Sequence, residues 1–395
     1  YTIARTMQSG DNQGLIAFNI SDIKDRAGNE ISAITASTDE SSVTFDSIDP
    51  ILTGITIASD NDISSSRAKS QDRVTLTFFS NSPIQVPTVS IAGATSDTPT
   101  SEDNLQWTAG RAMGDGDSDG TVSFTIDYED LAGNHGDRGT TISGGSNVTF
   151  DKTAPGTNSI TVVSSNATST LAAAGDEITI TIVANEDLQD NNSFNPYGIS
   201  NASIAGQSAT LISVDADNAA LWNIRYTLSG LEADGSVAYS FRMADATGNT
   251  TDVSSAGSAV TIDKTAPTLT SVTIESDNTN TAYAKAGDDI TLTITADEDL
   301  IAAPTVFLAG RSATVASVGG SKTDYTASIT TNSTDTQGQV AISIAFSDLS
   351  GNAGAEVITT TNGSSVIFDR TVPVLTAVTM SSNNANSAYA KEGDI

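Results

Sequence analysis

The sequence predicts an all-β chain built as a tandem array of seven-stranded β-sandwich domains, arranged like beads on a string. Three observations predict this fold class. A short hinge motif recurs four times, runs of alternating apolar and threonine residues dominate between the hinges, and patterns typical of helices are nearly absent. Because the hinges are a whole domain apart, a repeat of domains fits the spacing better than a solenoid, whose units are shorter.

Each hinge consists of a hydrophobic strand end, one aspartate, a threonine or similar residue, and a proline that prevents regular strand pairing from continuing. The four aspartates lie 105, 112 and 106 residues apart. The copies of the hinge are 45–50, 150–155, 262–267 and 368–373. They predict complete domains at 47–151, 152–263 and 264–369. We expect 1–46 to be the C-terminal part of one more domain and 370–395 the N-terminal part of another.

Within a domain, the alternation and the turn residues predict seven strands. In the domain 264–369 they are A at 269–274, B at 290–296, C at 305–309, D at 312–318, E at 325–330, F at 340–346 and G at 366–368. Seven short strands in about 100 residues are typical of an immunoglobulin-like (Ig-like) sandwich. The chain has no cysteine. The core therefore depends on burial of aliphatic and aromatic side chains.

Trp107, Trp222 and Tyr325 occupy the same place in the three domains, the start of strand E. An exposed aromatic residue there could bind a sugar, but its recurrence favours packing in the core or the sheet. The domain 152–263 also carries an insertion at 190–198, between strands B and C. Its turn-rich composition predicts a surface loop.

Charge and composition exclude several classes of function. The chain has 48 acidic and 17 basic residues, for a net charge of −31, which predicts no nucleic-acid partner and an attraction for divalent cations. The chain has a single histidine, His135, and this argues against histidine catalysis and zinc binding. We expect no enzyme, because no serine–histidine–acid combination or glycine-rich phosphate loop recurs. No apolar run approaches membrane-spanning length, so we expect no direct membrane insertion.

Acidic residues follow several strands in the second and third complete domains. Because strand direction alternates, the hinge aspartate, the B–C loop and the F–G loop should meet at one pole of a domain. The segments that meet there are Asp151, 186–187 and 245–249 in one domain, and Asp263, 297–299 and 348–352 in the next. Carboxylate and amide oxygens are the ligands that Ca2+ prefers. Crowded carboxylates repel one another without a cation. A second interpretation stays open, since Asp-x-x-Gly-Asn also forms a good tight turn.

The opposite pole of the preceding domain should face this site, so a cation there could tie two domains together. That pole carries Asp60, Asp62 and the segment 115–120 in the domain 47–151. The segment 115–120 begins like an EF-hand loop, but Ile126 stands where the closing glutamate belongs, and in the other units we expect a polar hairpin turn.

The domain 47–151 departs from the acidic pattern. It has 79–83 (Phe-Ser-Asn-Ser-Pro) where the others have Glu-Asp, which leaves Asp46, Asp49, Asp130 and Asn134 at its pole. We expect weak calcium binding, or none, at that joint.

Together, the hinge, the alternating B strand, the Asp-x-x-Gly-Asn turn and the closing Val-x-Phe-Asp resemble the tandem bacterial Ig-like (cadherin-like) domains of giant surface adhesins and biofilm-associated proteins. The resemblance covers essentially the whole chain. It implies an extracellular stalk at the bacterial cell surface, stiffened by Ca2+, in which each domain has its neighbours as partners. The calcium ligands that it implies are Asp151, Glu186, Asp187, Asp245 and Asn249, and then Asp263, Glu298, Asp299, Asp348 and Asn352.

The first functional hypothesis is therefore a rigid spacer in an adhesin or surface filament. A variant is a subunit that assembles laterally with other copies of the chain into a fibre. The second hypothesis is a module that binds glycan or protein through the insertion at 190–198. Paired carboxylates such as Glu298 and Asp299 are compatible with glycosidase chemistry, but their repetition at domain joints favours metal binding.

Overall fold

The all-β prediction is confirmed. We describe the protein from a computed structural model that covers residues 1–188, 198–213 and 220–395, with only the backbone described for 211–213. The described residues form strands and contain no helix. Most of the predicted insertion, 190–197, lies outside the described residues.

The strands fall into the four segments that precede, or lie between, the hinges. Residues 1–46 contain β1 (Gly14–Leu15) and β2 (Thr44–Phe45). The first domain, 47–151, contains β3 (Leu52–Ser59), β4 (Arg67–Ala68), β5 (Arg73–Ser80), β6 (Thr88–Ile91), β7 (Ala94–Thr95), β8 (Gln106–Ala112), β9 (Gly120–Thr121), β10 (Phe124–Asp127) and β11 (Thr149–Phe150).

The second domain, 152–263, contains β12 (Thr157–Ser164), β13 (Leu171–Ala172), β14 (Glu177–Ala184), β15 (Ile199–Ile204), β16 (Gln207–Ser208), β17 (Thr210–Ser213), β18 (Leu221–Thr227), β19 (Gly235–Ser236), β20 (Tyr239–Ala244), β21 (Thr250–Ser255) and β22 (Thr261–Ile262). The third domain, 264–369, contains β23 (Leu269–Ser276), β24 (Tyr283–Ala284), β25 (Asp289–Ala296), β26 (Thr305–Leu308), β27 (Arg311–Ser312), β28 (Thr314–Ser317), β29 (Asp324–Thr330), β30 (Gly338–Gln339), β31 (Ile342–Ala345) and β32 (Ile367–Phe368).

Each domain has two main antiparallel sheets and a small third sheet. The A–B–E sheets are ordered β3-β5-β8, β12-β14-β18-β17 and β23-β25-β29-β28. The facing C–F sheets are β10-β6-β7, β16-β15-β20-β21 and β27-β26-β31. In the small sheets β4-β11-β9, β13-β22-β19 and β24-β32-β30, a short strand from the A–B connection pairs in parallel with strand G.

The seven predicted strands of the third domain are present, with two changes. Strand D is divided into β27, which pairs with β26, and β28, which pairs with β29. Strand F is β31, which pairs with strand C, and a separate two-residue strand, β30, precedes the predicted strand F and pairs with strand G. The parallel strand β24 was missed, because two residues are too short to show a period of two.

Alternation along strand B explains where the core lies. In β25, Ile290, Leu292 and Ile294 are completely buried between the sheets, and the intervening threonines face outward. Each domain has its own hydrophobic core, which ends at the first residue of the hinge that follows it: Phe150, Ile262 or Phe368. The packing interpretation of the recurrent aromatic residues is confirmed, since Trp107, Trp222 and Tyr325 are all buried.

Candidate metal centre at the domain joints

Each hinge aspartate is anchored to the domain that precedes it. The backbone N–H of Asp151 donates to the carbonyl of Ala68 at 2.9 Å, and that of Asp263 donates to the carbonyl of Ala172 at 2.9 Å. One side-chain oxygen, Oδ1, accepts a bond from the backbone of the residue two places on, at 2.9 Å for Asp151 and 3.0 Å for Asp263. The other oxygen of Asp263, Oδ2, accepts a bond from Ser350 Oγ of the following domain at 3.4 Å.

The F–G turns, 245–249 and 348–352, are built around a buried aspartate. Asp245 Oδ1 accepts bonds from the backbone N–H groups of Thr247, Gly248 and Asn249 at 2.7, 2.7 and 3.0 Å. Gly248 has φ +92°, a conformation that favours glycine. Asp348 forms the same turn, and both aspartates are 1% exposed. The tight-turn interpretation of this motif is thus correct, and it does not exclude a cation nearby.

Three carboxylates meet at each of two joints. One carboxylate oxygen from each of Asp151, Glu186 and Asp245 lies within 4.8 Å of the corresponding oxygens of the other two residues. We call such a group of three carboxylates a trio. Asp263, Glu298 and Asp348 form the same trio, and among the described residues the metal-compatible groups are these two. Isolated bridges between the B–C loop and the F–G turn, Leu188 to Asp245 and Leu300 to Asp348, hold the two loops together. The predicted meeting of three segments at one pole is therefore confirmed.

In each trio, the pKa of the glutamate is raised. Burial raises the pKa of Glu186, and the charges of Asp245, Asp151 and Asp187 raise it further. Burial likewise raises the pKa of Glu298, followed by the charges of Asp263, Asp348 and Asp297. Like charges this close disfavour the ionised form, and a divalent cation would reverse that effect. Hard oxygen donors in a half-buried cluster fit a bound cation such as Ca2+.

Asn249 and Asn352 link the hinge to the turn. Nδ2 of Asn249 donates to Asp245 Oδ2 at 2.8 Å and to the carbonyl of Asp151 at 3.0 Å. Nδ2 of Asn352 donates to Asp348 Oδ2 at 2.8 Å and to the carbonyl of Asp263 at 2.9 Å. The structure thus assigns the amide nitrogens a positioning role, and ligation by the amide oxygens stays a prediction.

Asp187 and Asp299 follow the trio glutamates in sequence and are exposed. Neither belongs to a trio. Their role as calcium ligands therefore stays a prediction, although the charge of Asp187 contributes to the raised pKa of Glu186.

The E–F loop of each domain holds the hinge that follows it. Asp119 accepts bonds from the N–H of Lys152 at 2.9 Å and from Thr153 Oγ1 at 3.0 Å. Asp234 binds Lys264 and Thr265 in the same way, at 3.1 Å for both bonds. Sequence reasoning missed this pairing of the hinge Lys-Thr with an E–F aspartate, although both recur at the same positions in the first two domains. In the third domain Gln337 replaces the aspartate, and its Oε1 accepts a bond from Thr371 Oγ1 at 3.2 Å.

The remaining acidic residues of the predicted facing pole bind protein donors or solvent. Asp117 forms an ion pair with Arg111 at 2.5 Å. Asp60 accepts a bond from the backbone of Arg73 at 2.6 Å, and Asp62 is exposed. The EF-hand likeness of 115–120 therefore corresponds to a polar hairpin loop.

The joint before the first domain has the same turn with fewer carboxylates. Asp130 is 2% exposed and binds Asn134, whose Nδ2 also donates to the carbonyl of Asp46 at 3.2 Å. Asn81 replaces the acidic residues of the B–C loop, and its Oδ1 accepts a bond from the N–H of Ile51 at 2.8 Å. Weak calcium binding at this joint stays a prediction.

The fold and the trios define a tandem array of Ig-like β-sandwiches with acidic clusters at its joints. No protein-family model and no curated protein matches the chain. Several solved structures match the chain. One is a 1.5-MDa bacterial ice-binding adhesin, with 21% identity, a TM-score of 0.46, and coverage of 81% of this chain and 99% of that one.

A second is a Ca2+-stabilized adhesin with which an Antarctic bacterium binds ice, with 20% identity, a TM-score of 0.47, and coverage of 90% of this chain and 82% of that one. A third is the I9–I11 tandem of titin, with 13% identity, a TM-score of 0.29, and coverage of 76% and 94%. At these identities and TM-scores we draw nothing about function from the similarities. Among the described residues, no helix has the length and apolar character needed to cross a membrane.

Proposed function

We propose that this chain is a structural spacer in an extracellular adhesin or filament at a bacterial cell surface, and that Ca2+ stiffens its joints. The partners of each domain are its neighbours in the same chain, and no catalytic role is assigned. One observation carries the proposal. Asp151 and Asp263 belong to the linkers, yet their carboxylates lie with two carboxylates of the domain that follows. A cation held by all three groups would fix the linker to that domain.

The donor set favours calcium over other common cations. All three side chains offer hard oxygen atoms, whereas structural zinc sites use cysteine and histidine. Ca2+ accepts six to eight oxygen ligands in flexible geometry, so carbonyls and water can complete a set of three carboxylates. Mg2+ needs near-ideal octahedral geometry and keeps more of its water.

The test combines thermal unfolding with small-angle X-ray scattering, in calcium and then in chelator. We expect calcium to raise the melting temperature and to narrow the range of particle dimensions, because each ion binds the folded joint and not the unfolded chain. The double variant Glu186→Gln, Glu298→Gln removes one carboxylate from each trio and should lose both responses.

A variant with the same change of net charge, Glu177→Gln together with Glu275→Gln, lies outside the trios and should keep both responses. If the parent chain responds to calcium in neither measurement, the calcium assignment is wrong. Lateral assembly into a fibre would then be the better explanation of how the array is kept straight.

A further inference from the structure

The A–B loop of one domain contacts the F–G turn of the next. We name the contact between the first and second domains the first joint, and that between the second and third domains the second joint. At the first joint, Asn61 Nδ2 donates to the backbone carbonyl of Thr247 at 3.0 Å. At the second joint, Asn166 Nδ2 donates to the carbonyl of Ser350 at 2.8 Å. The same bond thus recurs at both joints and involves no carboxylate of a trio.

Each of these asparagines is held in position by its own domain. Asn61 Nδ2 also donates to Asp72 Oδ2 at 2.6 Å, while Oδ1 accepts from the N–H of Ile63 at 3.0 Å. Asn166 makes the equivalent bonds to Asp176 at 2.8 Å and from Thr168 at 3.0 Å. Since the oxygen is occupied locally, the second amide hydrogen is directed at the next domain. The donor is therefore pre-positioned, which lowers the entropic cost of docking.

Burial of the turn supports a true docking surface. The third residue of the F–G turn is buried at both joints, with Thr247 1% and Ser350 2% exposed. The turn is thus covered where an A–B loop faces it.

We propose that the A–B loop is a docking surface for the F–G turn of the following domain, and that Asn61 and Asn166 hold the two domains together without a cation. This goes beyond the calcium-stiffened spacer, because it assigns part of the joint to protein–protein contacts alone. The partner is a domain with an Asp-x-x-Gly-Asn turn, and Asn61 or Asn166 donates a hydrogen bond to a backbone carbonyl of that turn.

The two joints differ in their protein–protein contacts. At the first joint Lys69 Nζ also donates to the carbonyl of Gly248 at 3.1 Å. Any side chain at Gly248 would meet Ile63 and Lys69, so the turn is closely packed there. At the second joint Ala173 replaces Lys69, Thr168 replaces Ile63, and Gly351 has no atom within 4 Å of its missing Cβ. The second joint therefore has fewer contacts of this kind between the A–B loop and the F–G turn, although Ser350 Oγ also donates to Asp263 Oδ2 there at 3.4 Å.

Asn278 provides a matched control within the same chain. Its Nδ2 donates to Asp288 Oδ2 at 2.7 Å, as in the other two loops. Among the described residues, no F–G turn follows to accept its second hydrogen. Asn278→Ala thus removes the hydrogen bond within its own domain and no bond between domains. Asn61→Ala and Asn166→Ala remove the equivalent bond and, in addition, the bond to the next domain.

The experiment measures inter-domain distances by double electron–electron resonance in chelator. The chain has no cysteine, so spin labels can be attached only at cysteines that are introduced on exposed strand residues. Thr56→Cys with Thr161→Cys reports the first joint, and Thr161→Cys with Thr293→Cys reports the second. We expect a narrower distance distribution at the first joint than at the second. Asn61→Ala should raise the undocked population of the first joint about fivefold, the scale of one net hydrogen bond.

Asn166→Ala should do the same at the second joint, while Asn278→Ala should leave both distributions unchanged. Circular dichroism and urea unfolding confirm that each variant is folded. If Asn61→Ala and Asn166→Ala broaden the distances no more than Asn278→Ala does, the docking proposal is wrong. Because every measurement is made without metal, this result is independent of whether calcium binds.

Discussion

At the scale of single residues, two pairs of carboxylates in this chain have pKa values shifted in opposite directions. Crowding and burial raise the pKa of Glu186 and Glu298 in the trios. Burial would also raise the pKa of Glu232, but bonds from Tyr226 and Ser229 outweigh it and lower the value to about 2. Backbone and side-chain bonds from Lys285, with a further bond from Asn278, lower the pKa of Asp288 to about 2. When ionised, Glu186 and Glu298 therefore destabilise the metal-free fold, whereas Glu232 and Asp288 stabilise it.

The trio glutamates predict that removing a charge stabilises the metal-free protein. In chelator at pH 7, we expect Glu298→Gln to raise the melting temperature of the third domain by about 2–4 °C, since relief of one like-charge contact is worth about 0.5 kcal/mol. The folded pKa is raised, so the penalty applies at neutral pH and disappears as pH falls toward 4.5. The measurement is differential scanning calorimetry from pH 4 to pH 8.

Glu275→Gln, which changes an exposed glutamate in β23, is the matched control and should have little effect at any pH. An equal stabilisation by both variants would show that net charge, rather than crowding in the trio, determines the result.

Glu232 predicts a loss of stability in acid. The residue is 3% exposed, and its carboxylate accepts bonds from Tyr226 Oη, from the backbone N–H of Gly230, and from Ser229. Because its folded pKa is lowered, its stabilisation is present above pH 4.5 and is lost as pH falls toward 2. We expect Glu232→Gln to cost about 1–3 kcal/mol at pH 7 and much less near pH 2. Urea unfolding at both pH values measures the difference, and an equal cost at both would contradict the assignment.

At the scale of elements, strand F and the segment that follows the F–G turn are fitted to each other by a pairing of large and small residues. Gly136 lies against the ring of Tyr128, and Gly354 lies against the ring of Phe346. In the second domain the paired residues are Met243 and Thr251. The aromatic ring thus occurs with glycine and the slimmer methionine with threonine, so the total volume between the strands is kept nearly constant.

This pairing predicts that Gly136→Ala destabilises the first domain by about 1–3 kcal/mol through overpacking. A Cβ at this position would overlap the ring of Tyr128, whose hydroxyl donates to the carbonyl of Pro50 and accepts from the N–H of Leu52, both at 3.2 Å. Gly144→Ala in the same domain meets no atom within 4 Å and serves as the control. Chemical denaturation compares the two, and equal stability would show that the ring moves aside without cost.

At the scale of the whole molecule, the described residues of the three domains form separate apolar cores, so polar contacts at the joints determine how the domains are connected. A joint combines a hinge held by the preceding E–F loop, a trio shared with the following domain, and an A–B loop docked on the F–G turn. A net charge of −31 opposes compaction of the array, and bound divalent cations reduce it.

The two trios predict two specific calcium ions per chain in the described part of the array. Isothermal titration calorimetry should give that stoichiometry for the parent chain and one ion for Glu298→Gln. The joint at Asp46 has no glutamate in its B–C loop, and Asp46→Asn should leave the stoichiometry unchanged. A third specific ion that disappears in Asp46→Asn would contradict our expectation for that joint.

Much of this architecture could be predicted from local sequence. Alternation of apolar and threonine residues places strand B, and the recurrent proline places the hinges, because both signals depend on residues that are neighbours in the chain. Strand direction then places Asp263, Glu298 and Asp348 at one pole without any knowledge of side-chain contacts. The fold class and the meeting of the hinge, the B–C loop and the F–G loop at one pole therefore follow from the sequence alone, whereas the choice of the three carboxylates in each trio does not.

The tertiary structure alone decided which group contacts which across a joint. Asn61 and Thr247 are 186 residues apart, and nothing in the local pattern distinguishes a loop asparagine that caps its own turn from one that also bridges two domains. The role of Asn249 was equally hidden, because a side-chain amide can present either its oxygen or its nitrogen, and the choice depends on the acceptors around it. Periodicity determines which face of a strand is buried, whereas hydrogen-bond partners between loops depend on three-dimensional positions that only the assembled domains provide.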